Sequence, residues 1–327
     1  MKAIESSNRF ALTGTPIENR LSELWSIFEY LMPGYLYSYK YFKETFEQNI
    51  VQGTDEEQKA LGRLHTMIAP FLLRRVKKDV LKDLPDKIEK VVYTRFDKEQ
   101  EKLYKAAEKN IIINLKKSSG QEVQENKLQI LAELTRLRQL CCDPALLYEN
   151  YKAGSAKLET CMEVLENALE GGHRILVFSQ FTTMLDILAK RLKEKNISFF
   201  MLTGSTSKAT RRELVEQFQS GRAEVFLISL KAGGTGLNLT AADMVIHYDP
   251  WWNVAAQNQA TDRTHRIGQK NDVTVVKLIA RDTIEERILK MQEMKQDLAD
   301  KIISAEGVSL STLTKEDLLG LFGEENA

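Results

Sequence analysis

The chain has 327 residues, 43% of them hydrophobic, and 46 basic residues balance 46 acidic ones. This length is enough for two domains, and the zero net charge confines any nucleic-acid surface to a local patch. The three cysteines cannot form a disulfide framework, and the cysteines and four histidines lack the spacing of zinc ligands, so we expect no metal site. The sequence has no signal peptide and no apolar run of about 18 residues. We therefore expect a soluble cytoplasmic protein without membrane contact.

The first half of the sequence favours helices. Apolar residues recur at helical spacing along residues 19–31, and Pro33-Gly34 ends that helix. Residues 100–117 and 126–140 have the pattern of a long helical hairpin with a short polar tip. Proline breaks the chain between these regions, and we place a domain boundary near Pro85.

From about residue 172 onward, short apolar runs alternate with amphipathic stretches. The predicted strands are residues 174–178, 197–202, 224–228, 244–248 and 273–280. The predicted helices are residues 181–195, a helix that begins with a capping box at Thr210–Glu213, residues 254–265, and a long brace helix at 283–303. Strands that alternate with helices in this way are typical of βαβ units and a parallel sheet.

Polar and glycine-rich segments follow four of these strands. They are Ser179-Gln180, Thr203-Gly204, residues 231–238 and residues 249–253. Because ligands bind beyond the carboxyl ends of parallel strands, these segments are the candidate site.

Two of these segments have an ordinary alternative. Gly233, Gly234 and Gly236 would let backbone amides approach an anion, but glycines serve equally in a tight βα turn. Trp251-Trp252 could form a base-stacking platform beside a phosphate contact from Lys231, or could pack in a core or an interface.

A pair of arginines closes the predicted helix at 254–265. Arg263 and Arg266 are three residues apart, which places them on one helical face near its end. Two guanidinium groups aimed in one direction suit a phosphate, which accepts bidentate hydrogen bonds. The alternative is a solvated basic face.

A nucleotide-hydrolysing centre is not recognisable in the sequence. A phosphate-cradling loop needs glycine followed by lysine, and none of the 17 glycines is followed by lysine. No Asp-Glu pair ends an apolar strand, where it could hold Mg²⁺.

Together these segments resemble the C-terminal portion of the Swi/Snf family of superfamily 2 helicase-like ATPases. The matching segments, in family order, are Leu12–Asn19, Pro70–Arg75, Lys78–Val80 with Leu84-Pro85, Phe178–Phe181, Leu202–Ser205, Lys231–Asp243 and Asp249–Gln269. The resemblance implies an α/β fold, a RecA-like parallel sheet flanked by helices, with a helical N-terminal region and a helical insertion.

The resemblance also implies a domain organisation. Residues 1–84 would be a remnant of the first motor lobe, carrying the third helicase motif, plus a helical region. Residues 85–303 would be the second lobe, with the helical insertion at about 97–150, and residues 304–327 a C-terminal tail. The phosphate loop and the acidic Mg²⁺ motif would then lie upstream of Met1.

Roles transfer by resemblance residue by residue. Nucleotide state would be coupled to DNA contacts by Thr13, Gly14 and Thr15. Double-stranded DNA would be contacted by Ser179, Gln180, Thr203, Gly204, Lys231, Gly233 and Trp252. ATP would be faced by Gly234, Gly236 and Gln259, with Arg263 and Arg266 as catalytic arginine fingers.

The implied function is ATP-driven translocation on, or remodelling of, DNA–protein complexes. Its cofactors are ATP and Mg²⁺, held mainly by the first motor lobe of the same protein, and its partners are double-stranded DNA and a DNA-bound protein substrate. A nucleoid association is expected if the protein is bacterial.

The sequence departs from the family pattern at two places: Lys231 stands where many relatives carry arginine, and Trp251-Trp252 doubles a position that is often a single tryptophan. The competing hypothesis is a non-catalytic DNA- or protein-binding scaffold derived from a motor fold.

Overall fold

The computed structural model describes residues 6–13, 21–47, 55–73, 75, 77–233, 237–292 and 322. The chain forms two compact units. The first comprises residues 1–80, 252–255 and 291–309, and the second comprises residues 81–251, 256–290 and 310–327.

The first unit is helical where it is described. Its elements are α1 (Leu21–Leu31), α2 (Tyr39–Phe42), a π-helical turn (Lys43–Glu47), α3 (Asp55–Ile68), a 3-10 turn (Ala69–Phe71) and α4 (Lys77–Val80). Leu21, Leu24 and Phe28 share one face of α1 because they are spaced three and four residues apart, and they are buried. They pack in one cluster with Phe42 and Phe46, so this unit has its own apolar core.

The second unit alternates strands and helices. Its strands are β1 (Lys87–Thr94), β2 (Ile175–Ser179), β3 (Phe199–Leu202), β4 (Val225–Ser229), β5 (Met244–His247) and β6 (Val273–Ala280). Its helices are α5 (Lys98–Lys117), α6 (Gly120–Glu125), α7 (Lys127–Cys142), α8 (Ala156–Glu170), α9 (Thr182–Glu194), α10 (Lys208–Gln219) and α11 (Leu230–Gly233). Most of α12 (Val254–Thr261) and of α13, residues 284–292, also belongs to this unit.

The six strands of the described residues form a single parallel sheet in the order β1-β6-β5-β2-β4-β3. Alternate residues of β2 point to opposite faces. Ile175 and Val177 pack in a cluster with the apolar side chains of α8 and α9. Leu176 and Phe178 pack in a second cluster with Phe218 of α10 and residues near α12. The sheet therefore lies between two helical layers, which confirms the predicted α/β class.

Strand β1 is absent from the sequence predictions. It pairs with β6 from Lys87↔Val273 to Thr94↔Ala280, at the outer edge of the sheet. Most of its side chains are exposed, so it lacks the buried apolar run that marks the inner strands. Lys277 on β6 and Lys87 form ion pairs with Glu89. Burial is the largest single influence on the pKa of the Glu89 carboxyl and acts to raise it, but the two lysines together lower this pKa to about 2.

Three further predictions need correction or extension. The predicted capping box at Thr210–Glu213 is wrong: Ser207 is the N-cap of α10, and its Oγ accepts from the Thr210 amide at 3.2 Å. The hairpin of α5 and α7 is present, but its polar tip forms the short helix α6 with a capping box at Ser119. The brace helix is helical over residues 284–292, and the rest of its predicted span lies outside the described residues.

No helix within the described ranges combines the length and the apolar character needed to cross a membrane.

Candidate functional site

The carboxyl ends of the parallel strands lie at one edge of the sheet. β2 ends at Ser179, β3 leads into Thr203 and Gly204, and β4 leads into Lys231 on α11. Lys231 and Gly204 are exposed there. The fold thus brings together, at one edge, residues that are up to 52 positions apart in the sequence from Ser179 to Lys231.

Ser179 is turned inward at this edge. Its side chain is 0% exposed, its Oγ donates to Asp249 Oδ1 at 2.6 Å, and it accepts from the Phe181 amide at 3.1 Å. The hydroxyl is therefore fully engaged inside the unit, which does not favour the predicted direct DNA contact from Ser179. The neighbouring Gln180 is only half-buried.

Asp249 is the centre of a buried polar cluster. It receives the Gln180 amide at 3.3 Å in addition to Ser179, and it forms an ion pair with Arg138 Nη2 at 3.5 Å. Burial raises the pKa of the Asp249 carboxyl, although Arg138 and the Ser179 hydroxyl both act to lower it. The cluster fixes the main chain at the ends of β2 and β5 relative to each other.

Arg138 is a residue of this cluster that sequence reasoning missed. It lies on α7, more than 100 positions before Asp249, and is 2% exposed. The signal that could have found it is an arginine placed between Leu134, Leu137 and Cys141 on the apolar face of a predicted helix, where a cation needs a buried partner.

The Thr203-Gly204 turn is held by its own side chains. The Thr203 amide donates to Thr206 Oγ1 at 3.0 Å, and the hydroxyls of Thr203 and Ser205 are 2.8 Å apart. A Cβ added at Gly204 would meet no heavy atom within 4 Å, so packing within the chain does not require glycine at this position.

Trp252 is buried and Trp251 is partly buried. Trp251 is partly buried against the second core cluster, and its amide donates to Gln257 Oε1 at 3.2 Å. Trp252 is 9% exposed. The packing interpretation accounts for this burial, and the DNA contact of Trp252 stays a prediction.

Arg263 and Arg266 lie beyond the helix that was expected to carry them. α12 ends at Thr261, whose carbonyl accepts from both the Thr264 and His265 amides, and the Arg263 carbonyl accepts instead from Leu239 at 3.0 Å. The prediction that the helix extends to His265 is therefore wrong, and the two arginines lie in the turns that follow α12. The pKa of Arg263 is lowered, first by burial and then by the charge of Arg266.

The turn from His265 to Gln269, which includes Arg266, lies at the amino edge of the sheet. His265 Nε2 is 2.7 Å from the carbonyl of Pro85, two residues before β1, and Gln269 Nε2 donates at 2.7 Å to Ala242, two residues before β5. The arginine turn and the Gln180–Lys231 edge are thus different places on the unit. Gln259 is exposed on α12.

The structure describes only some of the other predicted site residues. Gly14, Thr15, Gly234 and Gly236 lie outside the described residues. Thr13 is exposed, and Gly233 ends the short helix α11.

The remaining titratable candidates are structural. Cys141, Cys142 and Cys161 are buried thiols whose pKa is raised by burial. His247 is buried, its Nε2 is 2.9 Å from Thr261 Oγ1, and burial lowers its pKa to about 3, so the imidazole is neutral. Among the described residues, no cluster of His, Cys, Asp and Glu could hold a metal ion.

Comparisons with known proteins agree with this geometry. The model of the SNF2-related domain matches residues 1–146, and that of the helicase conserved C-terminal domain matches residues 156–268. The solved C-terminal domain of the Sulfolobus solfataricus SWI2/SNF2 ATPase is 35% identical, with a TM-score of 0.59, over 72% of this chain and 98% of that domain. This chain belongs to the Swi/Snf family.

Other relatives are longer than this chain. The Sulfolobus SWI2/SNF2 ATPase core in complex with double-stranded DNA is 38% identical, with a TM-score of 0.61, over 94% of this chain and 65% of that core. A putative ATP-dependent helicase/translocase of Bacillus subtilis is 42% identical over 98% of this chain and 35% of its own length. The Swi/Snf chain described here spans about a third of the length of its first curated relatives.

Proposed function

We propose that this Swi/Snf chain is the C-terminal portion of an ATP-driven double-stranded DNA translocase or remodeller. It supplies DNA-backbone contacts and arginine fingers to an ATP site that a first motor lobe of the same protein completes. The observation that carries the proposal is the separation of two polar regions on one parallel sheet. Gln180, Thr203 and Lys231 lie at the carboxyl edge, whereas Arg266 lies in a turn at the amino edge and Arg263 shortly before it.

The arginine turn has the chemistry of a triphosphate contact. Arg263 and Arg266 are like charges close enough to affect each other, an arrangement that an anion between them relieves. Guanidinium groups bind phosphate oxygens through forked hydrogen bonds, so both residues fit ATP. Bound ATP supplies the free energy of hydrolysis. By the family resemblance, we assign Mg²⁺ mainly to the first lobe.

Arg266 contributes more to the transition state of ATP hydrolysis than to the binding of ATP in the ground state. Its side chain is exposed, so it can approach the γ-phosphate without first breaking a buried structure. A guanidinium that reaches this phosphate when the two lobes close stabilises charge that develops in the transition state. Such a group raises turnover more than it tightens ground-state ATP binding.

The carboxyl edge has the chemistry of a backbone contact. Lys231 is an exposed ammonium at the start of the glycine segment that follows β4. Gln180 and Thr203 add polar groups just after β2 and β3, the strands on either side of β4. Contacts of this kind position a duplex without reading its sequence. The solved relative in complex with double-stranded DNA supports a duplex as the ligand.

DNA affinity as a function of salt tests the proposal. Fluorescence anisotropy with a labelled duplex should give binding without sequence preference, and log K should fall with log salt. Each phosphate contact contributes a slope of about 0.9, so Lys231→Ala should make the slope shallower by about that amount. Lys190→Ala is the matched control, because Lys190 is exposed on α9 and away from the strand ends. Equal slopes for Lys231→Ala and the unchanged chain would contradict the proposed contact.

The second candidate is a non-catalytic DNA- or protein-binding scaffold. The packed state of both Trp251 and Trp252 is compatible with it, since a scaffold needs no mobile contacts. A scaffold has no use for phosphate-reading arginines. It is therefore favoured if Arg266→Ala leaves DNA-stimulated ATP turnover unchanged in the protein that carries both lobes.

A further inference from the structure

Arg138 is a buried cation that the proposed function does not yet use. It lies on α7, within the helical hairpin, and only 2% of its surface is exposed. Burying an arginine costs free energy unless its charge and its donors are matched, so its partners carry information about its role.

Its guanidinium reaches the ends of two neighbouring strands at once. Nη1 donates to Gln180 Oε1 at 2.9 Å, just after β2. Nη2 forms the ion pair with Asp249 at 3.5 Å and donates to the carbonyl of Pro250, both just after β5. Its Cζ atom is also 5.8 Å from the centre of the Phe181 ring, at the start of α9.

These anchors are part of, or adjacent to, the edge that the proposed function assigns to DNA. β2 and β5 are paired in parallel, so Gln180 and Asp249 leave the sheet side by side. Pro250 leads directly into Trp251-Trp252. Arg138, a side chain that belongs to neither strand, therefore links Gln180 to the segment that leads into the tryptophans, in addition to the Asp249 contacts with Ser179 and the Gln180 amide.

The helical hairpin is itself tied together behind Arg138. Gln100 of α5 is 0% exposed, and its Nε2 donates to the Leu140 carbonyl on α7 at 2.8 Å. A displacement of the hairpin would therefore carry Arg138 with it. The Arg138 contacts would transmit that displacement to Gln180 and Pro250.

We propose that Arg138 is a positioning residue for the DNA-facing edge, through which the hairpin sets the place of Gln180 and of the Asp249–Trp251 segment. The proposal rests on the proposed function. Arginine is required because two different nitrogens of one rigid fork serve acceptors on two different chain segments. A lysine would supply Asp249 with a cation, but its single nitrogen would not hold both segments.

The test compares Arg138→Lys and the double variant Arg138→Gln/Asp249→Asn with the unchanged chain. Both variants avoid a buried carboxylate without a cation, so their melting temperatures should stay near that of the unchanged chain. Arg136→Gln is the matched control, since Arg136 is exposed on the same helix. Duplex affinity is measured by anisotropy well below the melting temperature, and tryptophan exposure by acrylamide quenching, in which Trp25 of the first unit gives a constant background.

We expect about a tenfold loss of duplex affinity in both Arg138 variants, the size of one lost stacking or positioning contact, with stronger quenching than in the unchanged chain. Arg136→Gln should retain both values. The positioning role would be overturned if Arg138→Lys kept both the duplex affinity and the quenching of the unchanged chain. It would also be overturned if the double variant bound the duplex as tightly as the unchanged chain. If the unchanged chain fails to bind duplex DNA, the proposed function of the edge fails. Quenching still reports in that case whether Arg138 positions the tryptophan segment.

Discussion

The ion pair of Lys157 and Glu285 allows the packing of the sheet unit to be tested by a single substitution. Both side chains are 0% exposed, and the ammonium also donates to the Tyr248 carbonyl at 3.3 Å. Glu285 Oε2 accepts from the Ala280 amide at 2.9 Å. Burial is the largest single influence on the pKa of Lys157 and acts to lower it, but Glu285 leads a group of neighbours that together raise the pKa, so the ammonium stays charged at neutral pH.

Lys157→Met should destabilise the fold because it leaves the Glu285 carboxylate buried without a cation. Breaking such a pair costs about 3–5 kcal/mol, a large part of the stability of a domain. Lys157→Met/Glu285→Gln removes both charges and keeps an acceptor for the Ala280 amide. We expect the free energy of unfolding of this double variant to lie within about 2 kcal/mol of that of the unchanged chain. The remaining cost arises because the Tyr248 carbonyl loses its Lys157 donor.

Urea unfolding followed by circular dichroism measures these differences. Lys190→Met is the control, since Lys190 is exposed and its loss should change the free energy of unfolding by less than about 0.5 kcal/mol. A Lys157→Met variant within about 1 kcal/mol of the unchanged chain would refute the reasoning, because the buried carboxylate would then have found another partner or become protonated at little cost.

Three further predictions concern pH, catalysis and DNA. Burial lowers the pKa of His247 to about 3, so the unfolded state binds the extra proton below pH 6.5. Stability should therefore fall by roughly 1.4 kcal/mol per pH unit as pH drops from 6.5 toward 3, and urea titrations of His247→Phe should show a shallower slope. The isolated chain should release no phosphate from ATP above background, with or without duplex DNA; metal-dependent turnover that co-purifies with it would show otherwise. Trp252→Ala should cost roughly 1–3 kcal/mol in duplex affinity if the ring stacks on a base, and a variant that melts early but binds normally would exclude stacking.

The inner strands of the sheet were predictable from the sequence because they are buried on both faces. β2 and β4 are continuous apolar runs with every residue buried, and their order along the chain alternates with helices. β1 was not, because its sequence Lys87–Thr94 mixes charged and apolar side chains on an exposed edge. What makes it a strand is pairing with β6, more than 180 positions away.

The candidate site was predictable where it depends on the ends of strands, and less so where it depends on long-range contacts. Gln180, Thr203 and Lys231 follow directly from strand ends in a parallel sheet. The end of α12 was misplaced because the Arg263 carbonyl bonds to Leu239, a tertiary contact with no helical signature. Arg138 was missed for the same reason, since its partners lie just after β2 and β5, and helical spacing alone shows it only as an interruption of an apolar face.

The central claim is that Arg266 acts on ATP held by a first motor lobe. DNA-stimulated phosphate release by the protein that carries both lobes tests it most directly, with Arg222→Ala as the control because Arg222 is exposed elsewhere on the same unit. Arg266→Ala should lower turnover by about 10³-fold or more, the effect of arginine fingers in GTPase systems, while ATP affinity, DNA affinity and melting temperature change little. Turnover that survives in Arg266→Ala, or a variant that merely unfolds, would contradict the assignment of this residue to the transition state.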